Sequence, residues 1–215
     1  MIRHMKAPFH ISREPLLQWF LSHCHVRKLS TKHIVIHKGD EPTSLYFVVS
    51  GSLTVYIEDD EGRELVLAYL NAGDFFGEMG LFEELKERSA WIRTKEESEV
   101  AEITYARFTS LYEQKPELLF KLSGQIANRL SITSRKVGDL AFLDVTGRVA
   151  HALLDLAKQP TAMTHPEGMQ IKITRQELGR IVGCSREMVG RVLKSLQQQG
   201  HIDVSGKTMV IHDAR

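Results

Sequence analysis

Residues 171–198, IKITRQELGRIVGCSREMVGRVLKSLQQ, contain two helix starts and one helix stop. Thr174-Arg175-Gln176-Glu177 has the spacing of a capping box, in which the Thr174 hydroxyl accepts a bond from an amide at the helix N-terminus and Glu177 reaches back to the cap. The helix begun there turns Leu178, Ile181 and Val182 to one side, and Gly183 ends it. Ser185 is placed to cap a second helix, REMVGRVLKSLQQQ, whose Val189, Val192, Leu193 and Leu196 face inward. Two helices joined by a glycine-containing turn predict a helix-turn-helix. The segments HIDV and KTMVIH that follow flank a Ser205-Gly206 turn and predict a hairpin, so the whole reads as a winged helix-turn-helix.

Charge is concentrated in the same place. The 215-residue chain has 28 Lys+Arg and 27 Asp+Glu, a formal net charge of +1, which argues against a protein that coats a polyanion through bulk charge. Between Lys172 and Lys194, however, six basic residues face only two acidic ones. A solvated helix face would also be charged, so position decides. Arg186, Glu187, Gly190, Arg191 and Lys194 lie at offsets 0, 1, 4, 5 and 8 on the face opposite the apolar stripe. A recognition helix meets base edges with its N-terminal residues. Arg pairs bidentately with guanine O6 and N7, and Glu accepts from the cytosine amino group. Double-stranded DNA is the expected partner, read by Arg186, Glu187 and Arg191 and held at its phosphates by Lys172, Thr174, Arg175, Lys194 and Lys207.

Upstream, VTGRVAHALLDLAKQ is an amphipathic helix, and residues 160–170 are expected to be a loop rich in Pro, Thr and Gly. After Pro116 the pattern is helical for about 25 residues. Leu122, Ile126, Leu130, Thr133, Val137 and Leu140 step by three and four, which fits either a two-helix seam in a dimer or a stripe packed on the chain's own domain. Thr133 and Ser134 are out of place on a seam unless something there needs hydrogen bonds. A short helix is expected at residues 15–23, and from His33 to about Thr104 the texture is short β-rich runs separated by turns. Glycines at 39, 51, 62 and 73 recur every 11 or 12 residues, the rhythm of a sandwich or jelly roll, and predict about eight strands. The fold class is therefore α+β, and the expected division is a β domain over 1–115, a long helix and hinge over 116–143, and a winged helix-turn-helix over 144–215.

Within the β region, Gly73-Asp74-Phe75-Phe76-Gly77-Glu78-Met79-Gly80-Leu81-Phe82 is followed by Glu87-Arg88-Ser89-Ala90. Glycines at 77 and 80 allow backbone amides to turn toward an anion, Arg88 adds one fixed positive charge, and Glu78 is an acceptor for a sugar hydroxyl. A cyclic phosphodiester, with one negative charge, matches one Arg together with Ser89 and amide donors. Taken alone, the pattern fits a ligand pocket and equally an ordinary pair of glycine turns beside charges.

No Ser/His/Asp order, paired-carboxylate or metal-ligand spacing stands out, so the chain is not expected to be an enzyme. A redox or haem sensor would want a cysteine cluster or a haem ligand, whereas Cys24 and Cys184 read as ordinary thiols. A regulatory subunit acting only on protein partners would leave the basic recognition helix unexplained. With no run of about 18 apolar residues and no apolar signal sequence, no membrane partner is expected and the cytoplasm is the expected compartment.

The stretches GDFFGEMGLFEE, ERSAW, KVGDLAFLDVTGR, KITRQELGRIVGCSREMVGRVLKSL and GKTMVI closely resemble the bacterial cyclic-AMP receptor proteins, also called catabolite activator proteins, of the Crp/Fnr superfamily. The resemblance begins at about residue 14. The N-terminus up to Arg13 matches nothing comparable, and Met5 is a possible alternative start. The resemblance implies a cyclic-nucleotide-binding β-roll, a homodimer built on the long helix, and cyclic AMP as allosteric effector. Gly77, Glu78, Met79, Gly80, Arg88 and Ser89 would then hold the ribose and cyclic phosphate, with Gly62, Arg63, Glu64, Leu65, Val66 and Leu67 walling the pocket. Thr133 and Ser134 match adenine contacts, one from each subunit, which would account for the polar seam. A second, weaker site would involve Ala141, Gln176 and Arg186. Ser185, Arg186, Glu187 and Arg191 match DNA-reading positions, implying a TGTGA-like half-site. RNA polymerase contacts are implied at His25, Arg27 and Arg107 and in the segment 158–170, including Thr164 and His165. Arg27 and Arg107 depart from the best-known member but keep positive character.

Overall fold

The computed structural model describes residues 14–82, 86–159 and 161–212; the N-terminal thirteen residues, with Met5, lie outside them, as do Glu83 and Glu84 of the glycine-rich motif and Pro160. The chain divides into two compact units, Met1–Ile57 with Leu67–Ser131, and Glu58–Val66 with Ile132–Arg215.

The first unit opens with α1 (Pro15–Leu21), started by a proline whose fixed φ suits a first turn. Eight strands follow, β1 (His25–Leu29), β2 (Ile34–Ile36), β3 (Ser44–Ser50), β4 (Ser52–Glu58), β5 (Glu64–Asn71), β6 (Phe75–Phe76), β7 (Trp91–Thr94) and β8 (Ser98–Thr104), of which the tip of the β4–β5 hairpin, Glu58–Val66, is counted with the second unit. They form two four-stranded sheets, β1-β8-β3-β6 and β2-β7-β4-β5. The strand number matches the glycine rhythm. Gly51 shows why one of those glycines is needed, since φ is +84° and a Cβ there would lie 2.6 Å from the Glu97 carbonyl oxygen. The β region starts at His25, eight residues before the expected His33, because β1 is an edge strand with four exposed residues out of five and so lacks an apolar pattern.

A four-residue helix α2 (Met79–Phe82) sits between β6 and β7, and α3 (Tyr105–Gln114) follows β8. The helix α3 was not foreseen in the sequence. It is capped by Thr104, whose hydroxyl accepts from the Arg107 amide, and it buries only Phe108 and Leu111. Phe20, Phe47, Phe75 and Phe108 meet edge to face with centroids 4.8–6.5 Å apart, tying α1 and α3 to the inner face of the β1-β8-β3-β6 sheet. Phe75 is thus fully buried, and Phe76 is buried in a separate cluster with Ile36, Leu53 and Leu70.

The long helix α4 (Glu117–Phe142) divides the expected stripe in two. Leu118 and Leu122 are buried in the first unit's core and Ile126 packs against it, whereas Leu130, Val137 and Leu140 are 66%, 61% and 53% exposed. The first half therefore packs on the chain's own domain, and the apolar residues of the second half are left exposed.

The second unit contains α5 (Val145–Ala157), β9 (Met163–His165), β10 (Gly168–Lys172), α6 (Arg175–Val182), α7 (Arg186–Gln198), β11 (Ile202–Ser205) and β12 (Thr208–His212). Asp144 caps α5 through the Gly147 amide at 2.8 Å. The sheet order is β11-β12-β10-β9. Residues 160–170, expected to be a loop, instead include the hairpin β9–β10, with Met163 opposite Gln170. Only three residues make β9, and its Met163 and Thr164 are exposed, so no alternation was available to read. The core joins Val149 and Leu153 of α5, Leu178 and Val182 of α6, Val189 and Leu193 of α7, and Ile202, Met209 and Ile211 of the wing. Among the described residues no helix is long and apolar enough to cross a membrane.

Candidate functional site

In the first unit the glycine loop is built around Arg88, which is only 9% exposed. Its Nη1 donates to the Gly77 carbonyl (2.8 Å) and the Tyr105 hydroxyl (2.9 Å), and its Nη2 donates to the Ser44 carbonyl (2.7 Å). Tyr46 and Tyr105 present their rings to the guanidinium at 5.9 and 5.8 Å. These partners hold a permanent cation under the Gly77–Gly80 turn, where low polarisability makes its charge count for more than at the surface. Gly77 has φ +73°, and a Cβ there would come within 3.0 Å of Arg88 Nη1 and 3.1 Å of Tyr46 Cδ2. At Gly80 a Cβ would lie 2.7 Å from Pro42 Cβ and 2.9 Å from the Tyr105 hydroxyl. Both glycines are therefore required by close approach. Ser89 is exposed beside Arg88, with its Oγ 3.7 Å from the Met79 sulfur.

Two residues of α4 that sequence reasoning passed over complete this loop. Gln125 accepts from the Phe75 amide and donates to the Gly73 carbonyl, both at 2.8 Å. Arg129 donates to the Phe75 carbonyl and pairs with Glu78 at 3.4 Å. The signal was present, because polar residues 125 and 129 are four apart and share a helix face. Only the fold shows that this face meets the loop. The loop that would hold a ligand and the first half of the long helix are thus one hydrogen-bonded body.

In the second unit the expected caps are in place. Thr174 Oγ1 accepts from the Glu177 amide (3.1 Å) and Ser185 Oγ from the Met188 amide (3.2 Å). Gly183 is left-handed at φ +74°, and its amide and that of Cys184 both donate to the Gly179 carbonyl, at 2.8 and 3.0 Å. Arg186, Glu187, Arg191 and Lys194 are all exposed on one face of α7. With Arg175, Gly190, Gln197 and Val204 they line a concavity of about 530 Å³ between the recognition helix and the wing. The Glu187 carboxyl is held below the usual carboxylate range by its own backbone amide and the Ser185 hydroxyl, so it stays an acceptor. Lys172 and Lys207 are exposed at the end of β10 and in the wing turn.

Other residues expected to matter are accounted for individually. Gly62 has φ +74° in the β4–β5 turn, Arg63 pairs with Asp59 at 2.6 Å, and Glu64 pairs with Arg180 of α6 at 3.2 Å. Leu65 and Leu67 are half-buried and Val66 is buried. Thr133, Ser134 and Ala141 are exposed on α4, and Gln176 is exposed on α6. His25, Arg27, Arg107 and Thr164 are exposed, and Arg27 pairs with Glu102 at 2.7 Å. Burial pushes the Cys24 thiol up to about 12 and raises Cys184 as well, which makes both poor thiolates.

Residues 26–115 match the family described as cyclic nucleotide-binding domain, and residues 147–215 match the Crp-like helix-turn-helix domain. The class is that of DNA-binding regulators carrying a cyclic-nucleotide-binding domain. The cAMP-activated global transcriptional regulator CRP of Salmonella typhimurium is 59% identical over 202 residues, 94% of this chain and 96% of that protein. The cAMP-activated global transcriptional regulator Vfr of Pseudomonas aeruginosa is 60% identical over 214 residues, 98% of this chain and all of that protein. Among solved structures, the c-di-GMP-responsive global regulator CLP of Xanthomonas campestris aligns with a TM-score of 0.85 at 46% identity, covering 92% of this chain and 98% of that one. The chain belongs to the Crp family of transcription regulators and is not an enzyme.

Proposed function

We propose that this protein is a homodimeric, cyclic-AMP-dependent regulator of transcription acting in the cytoplasm, which binds TGTGA-like palindromes when loaded with cyclic AMP and contacts RNA polymerase. The observation that carries the reading is a single chain holding both a braced arginine under a glycine turn and a capped recognition helix with exposed Arg186, Glu187 and Arg191. Cyclic AMP is favoured over cyclic di-GMP because the relatives near 60% identity are named as cAMP-activated, while the c-di-GMP-responsive one is at 46%.

In this reading the functional parts are 1–115, 116–143 and 144–215. Arg88 and Ser89 take the cyclic phosphate, Gly77 to Gly80 with Glu78 take the ribose, and residues 62–67 wall the pocket. Thr133 and Ser134 take the adenine across the dimer seam. A ligand held by both long helices changes how the subunits are paired, and with it the separation of two recognition helices that must reach major grooves about 34 Å apart. Arg186, Glu187 and Arg191 read bases, with Ser185 beside them. Lys172, Thr174, Arg175, Lys194 and Lys207 hold phosphates. A weaker second nucleotide site at Ala141, Gln176 and Arg186, and polymerase contacts at His25, Arg27, Arg107, Thr164 and His165, belong to the same reading.

Fluorescence anisotropy on a TGTGA palindrome tests it. Affinity is expected to tighten on adding cyclic AMP and not on adding cyclic di-GMP; no response to cyclic AMP sinks the switch. Arg191→Ala should lose about 1–3 kcal/mol of discrimination against a mutated half-site while keeping nonspecific binding. The exposed stripe gives a separate check. Val137→Asp places a charge on the seam, and sedimentation equilibrium should show the dimer shifted to monomer, with specific DNA affinity falling in step.

A further inference from the structure

We propose that Glu167, Asp203 and His212 form a binding site for a divalent transition-metal ion of the zinc type on the wing sheet. Their ligating atoms, one from each residue, all lie within 4.8 Å of one another. The sheet order β11-β12-β10-β9 makes this possible. Gly168, just after the β9–β10 turn that carries Glu167, pairs with His212 at the end of β12, and Ile211 pairs with Ile202, next to Asp203 on β11. The β9–β10 turn thus brings one ligand to a patch where the β11–β12 hairpin supplies the other two, nine residues apart.

The imidazole is already oriented for coordination. His212 Nδ1 lies 2.7 Å from the Gly200 carbonyl oxygen, which can only accept, so Nδ1 carries a hydrogen. In the neutral ring the Nε2 lone pair then points at Asp203 Oδ2, 3.0 Å away. A cation between the two satisfies both: a proton on Nε2 does so as an ion pair, and a metal ion does so as well, since ligands about 2.0–2.1 Å from one ion are about 3 Å apart when they subtend slightly over 90°. A backbone carbonyl fixing the far nitrogen is the usual outer-shell partner of a metal-bound histidine. The third ligand, Glu167, is 62% exposed in the β9–β10 turn and within 4.8 Å of the other two, and its side chain would turn inward to reach an ion held by them.

One imidazole and two carboxylates suit Zn²⁺ and its first-row neighbours, with water completing the shell, and do not suit Mg²⁺, which prefers six oxygens. Bound there, the ion would clamp the β9–β10 turn to strands β11 and β12. The site stands on its own geometry and does not depend on the effector or the DNA sequence.

Isothermal titration of the full-length, chelator-treated protein with Zn²⁺ alone tests it. One ion per chain is expected, not displaced by millimolar Mg²⁺, and binding should weaken at least ~10-fold in each of His212→Gln and Asp203→Asn. Zn²⁺ should raise the melting temperature of the wild type and leave that of His212→Gln unchanged. Metal-free melting curves of the variants, matched to wild type, separate a lost ligand from a lost fold. Absence of stoichiometric binding, or unchanged affinity in either variant, overturns the proposal.

Discussion

Replacing Arg88 with leucine is expected to weaken cyclic-AMP binding by two orders of magnitude or more. The guanidinium is a permanent cation braced under the Gly77–Gly80 turn, and a hydrogen bond to a charged group is worth about 1.5–3 kcal/mol. Two such bonds to a cyclic phosphate amount to about 3–6 kcal/mol, or about 10²- to 10⁴-fold in affinity. Arg88→Lys keeps the charge but loses the planar fork, and should recover only part of the loss. Arg88 also links Ser44, Gly77 and Tyr105, so some loss of stability accompanies the substitution. Ser89→Ala separates the two effects. Its hydroxyl is exposed and, among the described residues, makes a long contact with the Met79 sulfur, so stability should hold while affinity falls about 10- to 150-fold, the value of one hydrogen bond to a charged group. Calorimetric titration with cyclic AMP, alongside thermal melting, reads both. An Arg88→Leu protein that binds as tightly as wild type would remove the ligand assignment.

The second large effect is expected at Gly179. A Cβ there would sit 2.6 Å from the Cys184 carbonyl oxygen, which belongs to the turn between the two helices. The neighbour is backbone and cannot swing aside. Gly179→Val therefore forces α6 and α7 apart and strips the bonds from Gly183 and Cys184 to the Gly179 carbonyl. A cost of about 3 kcal/mol follows for overpacking of this kind, or about 10 °C or more in the melting of a unit this size. DNA binding should be lost with cyclic-AMP binding retained. Gly190→Ala is the control, since a Cβ inside α7 there meets nothing nearer than Arg175 Cδ at 4.0 Å, and its melting temperature should equal or exceed that of wild type. Equal melting for Gly179→Val and Gly190→Ala would mean that the turn is not the rigid joint described.

The parts legible in the sequence are those governed by local rules. Thr174, Gly183 and Ser185 each announced a helix boundary because capping and positive φ act within a few residues. The glycine rhythm counted the strands for the same reason. Elements with little local pattern were missed: the edge strand β1, the three-residue β9, and α3 with two buried side chains. At the glycine loop, the residue types suggested an anion site, but they fitted ordinary turns equally well. What separates the two is the bracing of Arg88 by residues 44, 77 and 105 and the grip of Gln125 and Arg129 on the loop. These partners lie 11 to 54 positions apart, beyond the reach of any spacing rule.

The sequence by itself determined the winged helix-turn-helix, the β-rich first part and the basic face, since caps, periodicity and charge are properties of neighbouring residues. The tertiary structure alone decided which half of the long helix packs on its own core and which stays exposed. It also decided which polar side chains hold the glycine loop, and that Glu167, Asp203 and His212 share one patch. The physical reason is that burial and ligand geometry are set by where the chain returns to itself, and strand pairing across forty-odd residues leaves no local trace in the residues it brings together.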